Sequence, residues 1–252
     1  MTTNHKQPAR LSEDPLHGFD SSTPYNTGIL ICGDALSSEA ERTLVVSGAP
    51  RSGTTAIAAC LAMMGVPMGV PVPPPVHEYN YEDPAFIQML HMETPRDIDL
   101  HGLRDLISQR NGTHAVWGFK LPMALHSLPV LQRELRNPAF VFAFRDPVAV
   151  SCREMIATGA DAVSAIYRAL GWQRVIVEFI ASSGAPCLVI SYEKALQFPK
   201  SLVKTLSRWA GLTCDETVLG RAAAIIAANN GDYLQGVRFQ CDYFGVPVPP
   251  KA

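Results

Sequence analysis

The sequence predicts an α/β fold, a single-domain three-layer sandwich with a central parallel sheet, and three observations lead there. Four short runs rich in β-branched and aromatic residues, at 43–47, 115–119, 140–144 and 187–191, alternate with stretches of helical apolar spacing. That alternation is the mark of strands joined by crossover helices. The first run passes directly into the glycine-containing segment Gly48-Ala49-Pro50-Arg51-Ser52-Gly53-Thr54-Thr55 and then into an apolar stretch, the strand, loop, helix order that binds phosphate. Finally, 252 residues at 47% hydrophobic content suffice for one substantial core.

Taken in order, residues 1–41 are rich in Ser, Thr, Asn, Pro and Gly and read as a polar, partly mobile N-terminal arm. The arm has one apolar patch, Ile29-Leu30-Ile31-Cys32, able to pack onto the rest. The domain is expected over 42–252, with its first buried strand at Thr43-Leu44-Val45-Val46-Ser47. Residues 56–64 are apolar all round and stop at Gly65, which predicts a buried helix immediately after the loop. Pro71-Val72-Pro73-Pro74-Pro75 excludes helix and central strand, because proline lacks the amide donor and fixes φ; it reads as a stiff connector over the sheet. Helical spacing returns at 125–135 and 160–180. Beyond Pro199, a favoured first helical residue, Leu202, Leu206 and Ala210 recur every four residues and Gly211 closes the turn. Asp215 is placed to cap a last helix through Ile226.

Composition narrows the partners. A formal net charge of -2 gives no basic field for nucleic acid or anionic membrane, so any anion site is local. Six cysteines without a C-x-x-C pair, two of them (Cys60 and Cys187) inside apolar segments, read as reduced thiols in a reducing compartment. The polar start lacks a signal-peptide pattern and no apolar stretch approaches the ~20 residues of a membrane span, so a soluble, cytoplasmic protein is expected. Oligomeric state leaves no mark.

Set beside the nucleotide-triphosphate loop G-x-x-x-x-G-K-[ST], the segment from Gly48 keeps both glycines and the hydroxyl at Thr55, but Thr54 stands where the lysine belongs. Its cation is Arg51. The lysine normally holds β- and γ-phosphates, and its loss argues against ATP or GTP.

Ala49-Pro50-Arg51-Ser52-Gly53-Thr54-Thr55 after a strand resembles the 5′-phosphosulfate loop of the sulfotransferases that use 3′-phosphoadenosine 5′-phosphosulfate (PAPS). The resemblance implies that Arg51 and the amides of Ser52, Gly53, Thr54 and Thr55 hold the 5′-phosphate and the sulfuryl oxygens. A second block, Phe140-Val141-Phe142-Ala143-Phe144-Arg145-Asp146-Pro147, looks like the 3′-phosphate element of that family, with Arg145 as its guanidinium. The family places a serine eight residues further on; here Arg153 stands there and the nearest serine is Ser151, so either Arg153 takes the contact or the register has shifted. A third block, Val189-Ile190-Ser191-Tyr192-Glu193-Lys194-Ala195-Leu196, is similar to the segment whose tyrosine, Tyr192 here, sits near the adenine. The resemblance spans about residues 43–212, each motif at the carboxyl end of an expected strand, where open α/β sheets bind ligands.

Sulfuryl transfer needs a base for the acceptor and cations for the charge that develops on the sulfuryl group and leaving phosphate. Glu82-Asp83-Pro84-Ala85-Phe86 matches an E-D-x-x-[FI] segment of bacterial members, making Glu82 the candidate base and Glu78 the reserve; helix capping is the competing reading for these carboxylates. Trp117-Gly118-Phe119-Lys120-Leu121-Pro122 is similar to the family strand that ends in a lysine, which makes Lys120 a candidate cation, against an ordinary surface lysine. Asn229-Asn230-Gly231-Asp232-Tyr233, with Arg238, faintly resembles a donor lid. No metal is expected: the family needs none, and no His or carboxylate cluster has ligand spacing. The acceptor is expected to be a small molecule or saccharide bearing a hydroxyl or amine, its pocket shaped by residues 68–110 and 157–180. Two rivals stay open: a nucleotide or small-molecule kinase, which needs magnesium and a loop lysine, and a non-catalytic nucleotide-binding protein that has lost its base.

Overall fold

The computed structural model describes residues 26–36, 41–69, 81–90 and 98–227. The proline connector at 71–75, Glu78, the segment at 229–233 and Arg238 lie outside them.

Five strands form one sheet: β1 (Ile29–Cys32), β2 (Arg42–Gly48), β3 (Val116–Lys120), β4 (Pro138–Phe144) and β5 (Cys187–Ser191), in the order β1-β5-β4-β2-β3. The four expected strands are present within two residues of their predicted bounds, and β2 pairs parallel with β3 and β4, as β4 does with β5. The sheet is nevertheless mixed rather than wholly parallel. The patch Ile29–Cys32 is its antiparallel edge, with Ile29 opposite Ile190 and Cys32 opposite Cys187. Without β1 the outer edge of β5 would carry unpaired amides and carbonyls, and four residues are too short for a period-2 pattern to announce the pairing.

Among the described residues the chain also forms α1 (Thr54–Met63), α2 (Pro84–Leu90), α3 (Leu100–Thr113), α4 (Leu128–Glu134), α5 (Pro147–Thr158), α6 (Ala162–Ser183), α7 (Tyr192–Gln197), α8 (Pro199–Trp209) and α9 (Glu216–Ala227). Strand alternation divides them into two layers. Leu44, Val46, Ala139, Val141, Ala143, Leu188 and Ile190 bury against α1, α8 and α9. Val45, Trp117, Phe119, Phe140 and Phe142 bury under α2, α3, α4 and α6. β4 thus shows Ala139, Val141 and Ala143 to the first layer and Phe140 and Phe142 to the second.

The helix expected over 125–135 is split: a 3-10 turn at Pro122–Ser127 precedes α4, whose first turn carries Pro129. Proline has no N–H to donate to the preceding turn, so an α-helix cannot run through from 125. Two helices had no clear sequence signal. α3 buries only Leu103 and Ile107, too thin a stripe to show a period. α2 is seven residues long and depends on tertiary contact: Phe86, 1% exposed, stacks on Phe119 with ring centroids 3.9 Å apart. Asp215 caps α9 as expected, accepting the Val218 amide at 2.8 Å. No helix among the described residues is long and apolar enough to cross a membrane. Cys32, Cys60, Cys152, Cys187 and Cys214 are free thiols, and burial pushes those of Cys60 and Cys187 up to about 12.

The chain leaves β2 for β3 on one side and leaves β4 for β5 on the other, which puts a topological switch point at the carboxyl ends of β2 and β4. Phe86→Ala, which removes the ring that holds α2 over this edge, is expected to cost about 3–5 kcal/mol of stability. A urea titration would read this as a lower midpoint at unchanged slope.

Candidate functional site

At the end of β2 the backbone turns sharply. Arg51 has φ 69°, left-handed for a non-glycine, and the Ser52 amide closes the turn onto the Ala49 carbonyl at 3.1 Å. Gly53 follows at φ 96°, and a Cβ there would lie 2.2 Å from the Tyr192 ring. Both facts require glycine. Gly53 is the N-cap of α1 and supplies no side-chain bond to the first-turn amides. Beside them the Ser52 Oγ is buried without a hydrogen-bond partner. An uncapped helix N-terminus next to an orphaned buried hydroxyl is chemically suited to an anion, whose oxygens satisfy both.

Lys120, at the end of neighbouring β3, is 2% exposed, which overturns the surface-lysine reading. Its Nζ lies 2.7 Å from Glu82 Oε1 and donates to Thr55 Oγ1 at 3.1 Å. Burial pulls the Lys120 ammonium below the ordinary lysine value; Glu82 works against that shift and the Arg51 charge adds to it. One strand end, one loop and the short segment before α2 therefore meet, with Glu82, Lys120, Arg51 and Thr55 as the participants.

Arg145 ends β4. Its Nη1 donates to the Arg51 carbonyl at 3.0 Å, its guanidinium carbon lies 5.3 Å from the Tyr192 ring centroid, and its Nε is 3.7 Å from Glu193 Oε1. Asp146 caps α5 through the Ala149 amide at 2.8 Å, while its own amide donates to Glu193 Oε1 at 3.1 Å. Asp146 thus caps α5, while the Arg145 guanidinium turns to the loop and the Tyr192 ring. Burial raises the Tyr192 phenol, and the charges of Arg145 and Arg153 oppose the rise. Arg153 therefore acts on the same neighbourhood as Tyr192. Ser151 is 2% exposed and its hydroxyl donates to the Pro147 carbonyl at 2.6 Å, back along its own helix.

The structure gathers Arg51, Ser52, Gly53, Thr54, Thr55, Glu82, Lys120, Arg145, Arg153 and Tyr192 at one edge of the sheet, and turns Ser151 into its helix. Glu78 lies outside the described residues. Sequence reasoning gave no role to Glu193 or to Gln173, which donates to the Arg145 carbonyl at 2.7 Å; the adjacency of Glu193 to Tyr192 was the available signal for the first. A cavity of about 320 Å³ opens at the opposite, amino-terminal ends of the strands, by Asp34, Arg42, Gln132 and Asn137, and none of the candidates lines it. Among the described residues no three His, Cys, Asp or Glu side chains group as metal ligands would.

The strand, loop and helix at a switch point make this a P-loop-like α/β protein. No protein-family model matches the chain, and no curated protein does. Among solved structures it is similar to the sulfotransferase STF1 from Mycobacterium tuberculosis H37Rv, at 17% identity over 79% of this chain and 75% of that one, with a TM-score of 0.51. It is similar also to the sulfotransferase domain of the Synechococcus PCC 7002 olefin synthase, at 18% identity over 84% and 90% of the two chains, with a TM-score of 0.52. The chain has the sulfotransferase fold.

Gly53→Ala is expected to lose about 1–3 kcal/mol of stability, from the positive φ and the collision with Tyr192. In a denaturation cycle with Tyr192→Ala the double variant should lose less than the sum of the singles, since the ring it strikes is gone. Strict additivity would mean that the two do not meet.

Proposed function

We propose that this chain is a sulfotransferase that moves the sulfuryl group of PAPS to a hydroxyl or amine of a small-molecule or saccharide acceptor. The observation that carries the reading is the uncapped α1 N-terminus with its orphaned Ser52 hydroxyl, flanked by Arg51, the Lys120–Glu82 pair and Arg145. The fold shared with two sulfotransferases supports it. Arg51 and the amides of Ser52, Gly53, Thr54 and Thr55 are the residues suited to the 5′-phosphosulfate. Arg145, with Arg153 beside Tyr192, suits the 3′-phosphate, and Tyr192 offers a ring for the adenine.

The chemistry asked of the residues is modest. Glu82 accepts the proton of the acceptor hydroxyl or amine as the new bond to sulfur forms. The bond from sulfur to the 5′-phosphate oxygen breaks, and 3′-phosphoadenosine 5′-phosphate leaves. Lys120 and Arg51 offset charge on the sulfuryl oxygens and departing phosphate, in a site dry enough for those charges to count. Because Lys120 also binds Thr55, the base is tied to the donor loop by one ammonium. No metal and no redox cofactor enters this scheme.

Calorimetric titration with 3′-phosphoadenosine 5′-phosphate, ATP and AMP separates this reading from a kinase or a general nucleotide binder, since the first ligand alone should bind tightly. Arg145→Ala is expected to weaken that ligand by about 2–3 kcal/mol, roughly 30- to 150-fold, and to spare the analogue without the 3′-phosphate. Equal losses for both would remove Arg145 from the 3′-phosphate.

In transfer assays with labelled PAPS over an acceptor panel, Arg51→Ala should lose about 2–4 kcal/mol of transition-state stabilisation. Glu82→Gln should lower kcat about 10²- to 10⁴-fold at donor affinity within a few-fold of native. A Glu82→Gln enzyme with native kcat would take the base role from Glu82.

A further inference from the structure

We propose that Asp83 is a positioning residue for the Glu82–Lys120 pair, acting with Arg110 as a pin that fixes where α2 begins and so where Glu82 stands. The functional meaning of Glu82 rests on the reading above; the pin rests on geometry alone.

The chain enters α2 through Tyr81, at φ 55°, a left-handed conformation unusual for a residue with a large side chain. Such a conformation persists only where its surroundings over-determine it. Two residues later Asp83 is bonded three ways. Its Oδ1 accepts the Ala85 amide at 2.9 Å, its carbonyl accepts the Ile87 amide at 2.9 Å, and its Oδ2 takes Arg110 Nη2 at 2.6 Å. The side chain of Asp83 is 3% exposed and that of Arg110 24%. Gly69 leaves the space, since a Cβ there would come within 2.6 Å of Oδ2.

Capping α2 explains only the Oδ1 contact, and Asn, Ser or Thr serve a cap as well. The second oxygen brings a buried charge that has to be paired, and α3 supplies the partner from its last turn. Farther along α2, Phe86 stacks on Phe119, the residue before Lys120. Glu82 and Phe86 are four residues apart, Phe119 and Lys120 are adjacent, and the pin lies between the first two. Held at Asp83 and at Phe86, α2 cannot slide along the end of β3, and the Glu82 carboxylate stays on the Lys120 ammonium. Glu82, Arg51 from the loop and the Thr55 hydroxyl from α1 are among the groups acting on that ammonium.

The test reads Lys120 directly in the full chain, by competitive acetylation with acetic anhydride across pH and mass spectrometry of the Lys120 peptide. Glu82→Gln should lower the midpoint of Lys120 labelling by about one pH unit or more, because the supporting carboxylate is lost while burial and Arg51 remain. Asp83→Asn keeps a capping oxygen, loses the ion pair and should move the midpoint the same way by at least half as much. Arg110→Lys should stay nearer native than Arg110→Gln, and adding Asp83→Asn to Glu82→Gln should produce no further shift. A native midpoint in Asp83→Asn, additive shifts in the double variant, or no shift in Glu82→Gln overturns the proposal. Should Asp83→Asn fail to fold, Arg110→Gln gives the same readout, and if neither folds Asp83 is structural only and the proposal falls. Titration with 3′-phosphoadenosine 5′-phosphate keeps the two readings apart: a native chain that does not bind it defeats the sulfotransferase assignment, while the labelling still judges the pin.

Discussion

An ammonium group at 2% exposure has given up most of its hydration, and it is stable there only with a counter-charge and acceptors at bonding distance. Lys120 finds the charge in Glu82 and the acceptor in Thr55, and each lies on a different part of the chain. The Glu82 contact requires α2 to lie over the end of β3, which the Phe86 stack and the Asp83–Arg110 pair secure. The Thr55 contact requires α1 to start at the end of β2, which the left-handed Arg51 and Gly53 secure. One buried charge thereby sets the relative position of two helices, a loop and a strand.

The cations are concentrated although the protein has a formal net charge of -2. Arg51, Lys120, Arg145 and Arg153 come from three strand ends and one helix, and Glu82 and Glu193 stand among them. These carboxylates keep the cluster from repelling itself, and Glu193 also bonds the Asp146 amide at the start of α5. An anion reaching the loop meets donors that neighbouring strands have already oriented, so little reorganisation opposes its binding.

Tyr192 and Gly53 show how closely the loop and the third motif depend on each other. The ring sits where a Cβ on Gly53 would be and faces the Arg145 guanidinium, so the loop, the β4 end and the β5 end share one contact surface. None of the three motifs is more than a turn by itself. Parallel pairing from β2 through β4 to β5 brings their ends to one edge in adjacent positions.

The four parallel strands, the helix after the loop, α8 and the Asp215 cap were all legible in the sequence, because each is specified by local chemistry: β-branched runs, four-residue periodicity, a proline at a helix start, an aspartate before one. The phosphate-type loop was legible for the same reason, through its glycines and its missing lysine. What the sequence could not contain is what depends on residues far apart in it. β1 joins the sheet because β5 has an open edge, α2 exists because Phe86 meets Phe119, and Lys120 is interior because Glu82 and Thr55 close over it. The phase of α5, which starts from the Asp146 cap, buries Ser151 against its own helix backbone, while it is the charge of Arg153 that reaches Tyr192. Local propensity determined which elements form; the pairing of strands and the burial of charge decided which side chains meet, since those energies arise only between segments that the fold brings together.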